Sequence, residues 1–138
     1  MRICFFGHRD TPIETEEKLK KILDILLQKE ESFCFYIGQQ GNFDDMAFRV
    51  LEKMKKKFPK IEIVRVIAYL EEAQNGIESL YPEGLETVPR KFAIVRRNEW
   101  MVDHADLIIV YLSRSFGGAA KAFSYAKRKG KKIINLYE

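Results

Sequence analysis

The chain has 138 residues, of which 46% are hydrophobic and 32% charged, a mixture typical of one globular domain with a single core. No apolar stretch approaches the roughly 20 residues that cross a bilayer, and the N-terminus turns polar too early for a secretory signal. These features argue against a membrane protein and predict a soluble, cytoplasmic protein with one domain over residues 1–138.

Short apolar runs alternate with helical periodicity along the first half of the chain. Residues 2–6, 33–37 and 61–70 predict three buried strands. Apolar residues at helical spacing predict one helix from about Thr15 and a second over residues 43–57. Residues 71–88 carry turn-forming residues without clear periodicity and predict a long loop, to which the sequence assigns no role.

The second half of the chain continues the alternation. It predicts a helix from Pro89 or Arg90 to Val102, a strand over residues 106–112, an alanine-rich helix that closes at Gly130, and a last strand over residues 131–137. The strands are apolar almost throughout, as in parallel sheets with both faces covered. We therefore predict a doubly wound α/β fold with a mostly parallel five-stranded sheet and helices on both faces.

The loops at the carboxyl ends of the strands are the predicted ligand site, because open α/β sheets bind ligands there. Two of them, residues 38–45 and 113–120, contain glycines and lead directly into helices. Glycine permits close backbone approach, and free amides at a helix N-terminus attract anions. A phosphate-bearing small molecule is the favoured ligand. Tight strand-to-helix geometry is the alternative for each turn, since neither matches the dinucleotide or Walker pattern.

Polar residues near this edge have two interpretations each. His8 and Arg9 follow the first strand and are favoured as ligand contacts, although His8 capping a turn and Arg9 pairing with Asp10 would also explain them. Arg97 and Asn98 lie beside an apolar helical stripe, so they need either ligand or loop backbone as a partner.

Other polar and aromatic groups favour structural interpretations. Trp100 is favoured as packing, and a helix-to-strand turn explains Asp103, His104 and Asp106 without a metal. Cys4 and Cys34 lie in apolar runs and predict reduced core residues rather than zinc ligands. No cofactor is expected.

The net charge of +4 comes largely from lysine-rich runs at 53–60 and 127–132. Both runs end helices, and neither alternates with aromatic residues as a nucleic-acid stacking surface would. A solvated face is favoured, and nucleic acid is not the expected partner.

Four segments together resemble the SLOG superfamily, in its small bacterial branch with a GHR opening: "CFFGHRD", "IGQQGNFDDMA", "VRRNEWMVDHADLIIVYL" and "SRSFGGAAKAF". That superfamily includes relatives of DNA processing protein A and the Lonely guy phosphoribohydrolases. The resemblance implies a Rossmann-like fold that binds a nucleotide or nucleotide-derived ligand at these loops, and it allows a homo-oligomer. The ligand contacts expected on this basis are Gly7, His8, Arg9, Gly38, Gln39, Gly41, Asp44, Arg97, Asn98, Ser115, Gly117 and Gly118.

The sequence departs from the enzymes of that superfamily. Their PGG-x-GT-x-x-E signature, which includes a catalytic glutamate, is replaced by "RSFGGAAKAFSYA". Enzyme activity is therefore left open, with Asp44 as the candidate carboxylate and His8 as the candidate acid or base. Three interpretations follow: a nucleotide-binding or sensing module, which is preferred; a nucleoside or nucleotide hydrolase or transferase; and a nucleic-acid-associated protein.

Overall fold

Each predicted strand forms in the structure, and a sixth joins them. The computed structural model describes residues 1–137. Its strands are β1 (Arg2–Gly7), β2 (Cys34–Ile37), β3 (Glu62–Val66), β4 (Ser79–Leu80), β5 (Leu107–Tyr111) and β6 (Lys132–Asn135). All pair in parallel, in the order β4-β3-β2-β1-β5-β6.

Four helices connect the strands. They are α1 (Thr15–Leu26), α2 (Asn42–Lys57), α3 (Ala93–His104) and α4 (Gly118–Arg128), with 3-10 turns at Leu70–Glu72, Leu85–Thr87 and Arg90–Phe92. None of the helices within residues 1–137 is long and apolar enough to span a membrane. Their ends agree closely with the predicted ones, except that the third predicted helix begins as a 3-10 turn.

The alternation of side chains along β1 explains why helices cover both faces of the sheet. Ile3 and Phe5 face α1 and α2, whereas Cys4 and Phe6 face α3 and α4. Three alanines of α4, Ala119, Ala122 and Ala126, join the second face. The predicted Rossmann-like, doubly wound fold is confirmed.

Two details of the sequence prediction were wrong. The sheet has six strands rather than five, because Ser79–Leu80 pairs with Arg65 and Val66 at the edge of the sheet. A two-residue strand within a polar loop has no periodicity that could reveal it. In addition, Cys34 is only partly buried, while Cys4 is fully buried as predicted and burial raises the pKa of its thiol.

Candidate functional site

A cavity opens where the strand order reverses. β1 lies between β2 and β5, so the loops that follow β1 and β5 lead to opposite faces of the sheet. Between them lies a cavity of about 270 Å³, which we call the crevice. Its lining comprises Phe5, Phe6, Gly7, His8, Arg9, Gly38, Gln40, Asp44, Ile94, Arg97, Asn98, Met101, Arg114, Gly117, Gly118 and Ala119.

The crevice includes most of the expected ligand contacts but not all of them. Gly7, His8, Arg9, Gly38, Asp44, Arg97, Asn98, Gly117 and Gly118 line it. Gln39, Gly41 and Ser115 do not. Ser115 lies instead on an adjoining groove of about 580 Å³ between α3 and α4, and Gly41 is packed against Arg9. Ligand binding by any of these residues stays a prediction.

Glycines with left-handed backbone conformations begin the two helices that point at this edge. Gly41 (φ 105°) precedes α2 and Gly117 (φ 97°) precedes α4, and neither helix has a side-chain cap. The Asn42 amide of α2 donates to the Arg9 carbonyl at 3.0 Å. Because Gly118 and Ala119 line the crevice, the first turn of α4 presents uncapped amides to it.

The loop after β2 is held by buried charges. Arg65 Nη1 donates to the Gly38 carbonyl at 2.8 Å, and the guanidinium lies 4.5 Å from the centre of the Phe48 ring. Asp44 Oδ2 accepts a hydrogen bond from the backbone N–H of Gln40 at 2.7 Å. Burial raises the pKa of the Asp44 carboxyl, while the Gln40 N–H and the nearby Arg97 and Arg65 oppose that shift.

Arg97 is almost completely enclosed, with 1% of its surface exposed. Its Nη1 donates to the Val66 carbonyl at 2.8 Å, and its Nε to Asn98 Oδ1 at 2.9 Å. Burial lowers the pKa of this guanidinium, and Asp44 acts against that change. The sequence predicted either a ligand or loop backbone as the partner of Arg97, and the structure shows a backbone partner, the Val66 carbonyl. Only a small part of the side chain reaches the crevice.

His8 joins the loops on the two sides of the crevice. It is buried, and its Nε2 accepts the backbone N–H of Ser113 at 3.0 Å. Burial lowers the pKa of His8, and the positive charge of Arg114 lowers it further. Because Nε2 accepts in the hydrogen bond with Ser113, this contact is made by the neutral imidazole that carries its proton on Nδ1.

An exposed arginine, Arg9, and a half-buried one, Arg114, border the crevice in defined positions. Arg9 Nη2 donates to Gln40 Oε1 at 3.0 Å. Asp10 pairs with Arg114, through hydrogen bonds of 3.0 and 3.2 Å, and not with Arg9. The exposed ring of Phe116 lies 5.3 Å from the Arg114 guanidinium.

Sequence reasoning missed Arg114, Gln40 and Arg65. Arg114 and Gln40 stand within the two glycine loops that it selected, so their position was the available signal. Arg65 carried a clearer signal, because it is a charged residue between the apolar Val64 and Val66 of β3. Such a residue needs a buried partner, which here is the Gly38 carbonyl.

The residues before β5 make contacts within the protein. Trp100 stacks on His104 with ring centroids 4.0 Å apart and meets Tyr36 edge-on. Asp103 accepts from the Tyr125 hydroxyl at 2.9 Å, and Asp106 from the Arg2 amide at 2.8 Å. Residues 1–137 contain no group of three or more ligating side chains placed to hold a metal ion.

Comparison with solved structures places the chain among known folds. DNA processing protein A from Streptococcus pneumoniae superposes on 96% of the chain with a TM-score of 0.72 and 14% identity. The chain has the Rossmann-like fold of DNA processing protein A. The Helicobacter pylori protein, whose structure concerns single-stranded DNA binding, gives a TM-score of 0.66 over 96% of the chain at 17% identity. At these identities the likeness shows the fold.

The chain corresponds to part of each of these longer proteins. The chain spans 48% of the S. pneumoniae protein and 63% of the H. pylori protein. An uncharacterised SPbeta prophage-derived protein, YoqJ of Bacillus subtilis, is 22% identical over 86% of this chain and 83% of its own length. No protein-family model matches the chain. The Rossmann-like fold that the predicted resemblance implies is confirmed.

Proposed function

We propose that the crevice binds a nucleotide or a nucleotide-derived anion. The observation that carries this proposal is the convergence of the uncapped α4 N-terminus with Arg9 and Arg114 on one cavity at the switch in strand order. The amides at a helix N-terminus and the guanidinium of arginine both bind phosphate groups well. Arg114, rather than the enclosed Arg97, provides the second accessible guanidinium.

The size of the cavity supports a ligand larger than phosphate. The crevice alone is close to the lower limit of small-molecule sites. It shares Ile94, Asn98, Gly117 and Gly118 with the groove between α3 and α4. A ligand with its phosphate on α4 can extend into that groove, where Phe116, 68% exposed, offers a face on which a base can stack.

The site geometry favours binding of the ligand alone over its hydrolysis. A hydrolase would need a carboxylate or an imidazole ready to move a proton. Asp44 lines the crevice, but one of its oxygens is engaged by Gln40, and His8 Nε2 is engaged by Ser113. Both groups therefore have structural partners that a catalytic role would have to replace.

The test is native mass spectrometry of the purified protein, followed by identification of small molecules released on denaturation. Wild type is compared with an Arg9→Ala/Arg114→Ala double variant. Arg96→Ala is the matched control, because Arg96 is an exposed α3 arginine outside the crevice. We expect a nucleotide with wild type and the control, and its loss in the double variant. Equal retention by all three proteins would refute the crevice as the site.

Single-stranded nucleic acid is the second candidate, favoured by the fold shared with the H. pylori protein. The helices run antiparallel to the strands. The basic last turns of α2 and α4 therefore lie near the amino-terminal ends of the strands, at the end of the sheet opposite the crevice. Two modes of binding are therefore distinguishable. An oligothymidylate of about 15 nucleotides held in the crevice would compete with a mononucleotide. One held by the lysine runs would not compete, and its affinity would fall steeply with salt.

A further inference from the structure

The α2 side of the crevice carries a hydrogen-bond acceptor without a donor. Asp44 is only 6% exposed and lines the crevice. Its Oδ2 accepts from the backbone N–H of Gln40, while Oδ1 has no donor among residues 1–137. Within the same residues, the fully enclosed side-chain atoms that lack a partner are Gln39 Oε1 and Arg114 Nε. Asp44 Oδ1 is not one of them and is therefore accessible from the crevice. A carboxylate oxygen in so buried a side chain needs a donor.

Asn98 supplies the converse, a donor without an acceptor. Arg97 Nε donates to Asn98 Oδ1 at 2.9 Å. A guanidinium only donates, so this bond fixes which end of the Asn98 amide lies against Arg97 and leaves Nδ2 for other partners. Nδ2 has no acceptor among residues 1–137. Asn98 lines both the crevice and the adjoining groove, so its amide N–H groups are available where the two cavities meet.

A close approach at Gly38 brings these groups together. An added Cβ at Gly38 would lie 3.1 Å from Asp44 Oδ2 and 3.2 Å from Arg97 Cζ. The carboxylate and the guanidinium thus flank one point, and Asn98 is bonded to that guanidinium. This wall of the crevice therefore offers both an acceptor and a donor. The opposite wall, at the first turn of α4, offers the donors of uncapped backbone amides.

We propose that the crevice holds the ribose of a ribonucleotide, with one of its vicinal hydroxyls donating to Asp44 Oδ1 and the other accepting from Asn98 Nδ2. This inference rests on the proposed function and names the sugar that the site selects. A hydroxyl both donates and accepts, whereas the oxygens of ionised phosphate only accept. The mixed wall therefore suits a diol, and the amide wall suits phosphate. The sugar is bonded directly to the phosphate, so it lies beside it in the crevice while the base extends into the groove.

The same arrangement selects against deoxyribose. A 2-deoxyribose lacks one hydroxyl of the pair, so either Asp44 Oδ1 or Asn98 Nδ2 would be left without its partner. Sites built to bind a hydroxyl reject an analogue that lacks it, because their own polar group then stays unpaired. A strand of DNA would therefore make only part of this contact in the crevice.

The experiment titrates isotope-labelled protein with inorganic phosphate, ribose 5-phosphate and 2-deoxyribose 5-phosphate. None of these probes carries a base, so the result does not depend on which base the site prefers. NMR follows the backbone amide of Gly118 for the phosphate, and the Gln40 backbone and Asn98 side-chain amides for the sugar. We expect every probe to shift Gly118 and only the sugar phosphates to shift the other two. Ribose 5-phosphate should bind at least about five-fold more tightly than 2-deoxyribose 5-phosphate, the effect of one hydrogen bond.

Two variants test the two contacts through the ratio of the affinities for ribose 5-phosphate and inorganic phosphate. Both probes carry the phosphate, so a change in the charge of the site largely cancels in this ratio. Asp44→Asn and Asn98→Ala should each lower the ratio by about five-fold. Asp45→Asn is the matched control, because it makes the same charge change at an exposed neighbour outside the crevice lining. The control should keep the wild-type ratio.

Three other outcomes overturn defined parts of the proposal. Equal affinities of wild type for the two sugar phosphates overturn the ribose assignment and leave phosphate binding in the crevice intact. This comparison needs no variant, so it holds even if Asp44→Asn fails to fold. An unchanged ratio in a folded variant overturns the contact assigned to that residue. An absence of shifts at Gly118 with all three probes overturns the proposed function together with this inference.

Discussion

The backbone N–H of Ser113 donates to His8 Nε2 at 3.0 Å, which fixes the distance between the loops that follow β1 and β5. The bond requires an unprotonated Nε2 and therefore a neutral imidazole. Burial and the Arg114 charge both favour that state, and Asp10 opposes them. Protonation of His8 at Nε2 would therefore remove this contact between the two loops.

Acid should destabilise the protein through His8. Its pKa in the folded state lies below the ordinary value of 6.5, so the unfolded chain binds more protons as the pH falls below that value. The stabilisation from neutral His8 is complete above the unfolded pKa and decreases as the pH falls towards the folded one. We expect His8→Gln, which keeps an acceptor but does not titrate, to show a smaller decrease in unfolding free energy between about pH 7 and pH 5. Urea unfolding measures both proteins, and identical pH profiles would contradict the prediction.

Substitution of Gly7 should destabilise the fold, while substitution of Gly118 should not. An added Cβ at Gly7 would lie 2.2 Å from Cγ of the buried Phe43, which has no free space to move. Gly7→Ala is expected to lower the free energy of unfolding by about 1–3 kcal/mol. Gly118→Ala is the matched control, since nothing lies within 4 Å of its Cβ position. It should leave stability unchanged or raise it by up to about 1 kcal/mol, as measured by urea unfolding.

Asp44 should matter to stability whether or not it has a catalytic role. Asp44→Asn keeps an acceptor for the Gln40 amide but removes the negative charge beside Arg65 and Arg97. We expect the free energy of unfolding to fall by about 2 kcal/mol. Asp45→Asn, at an exposed neighbour, should change it by less than about 1 kcal/mol. In a preparation with measurable nucleotide turnover, full activity of Asp44→Asn would refute Asp44 as the catalytic carboxylate.

Arg65 should influence ligand retention without lining the crevice. Its hydrogen bond to the Gly38 carbonyl holds the loop that leads to the crevice. We expect Arg65→Met to release the nucleotide that wild type retains in native mass spectrometry. Arg49→Met is the control, because Arg49 pairs with Glu16 on the surface of the protein. Undiminished retention by Arg65→Met would show that the loop keeps its shape without this contact.

The sequence predicted the fold well because the fold depends on local patterns. Apolar runs of strand length and apolar positions at helical spacing report which surfaces must be buried, and this information is present residue by residue. β4 escaped detection for the same reason. Ser79 and Leu80 become a strand only because the edge of β3 offers unpaired backbone groups at Arg65 and Val66.

Only part of the site could be derived in the same way. The sequence by itself determined that two glycine loops precede helices at the carboxyl edge of a parallel sheet, since element order and direction suffice for that conclusion. The tertiary structure alone decided that Asp10 pairs with Arg114, that Arg97 is enclosed and that His8 contacts Ser113. Asp10 and Arg114 are 104 positions apart in the sequence. Their contact therefore depends on how the loops pack after the strands have paired.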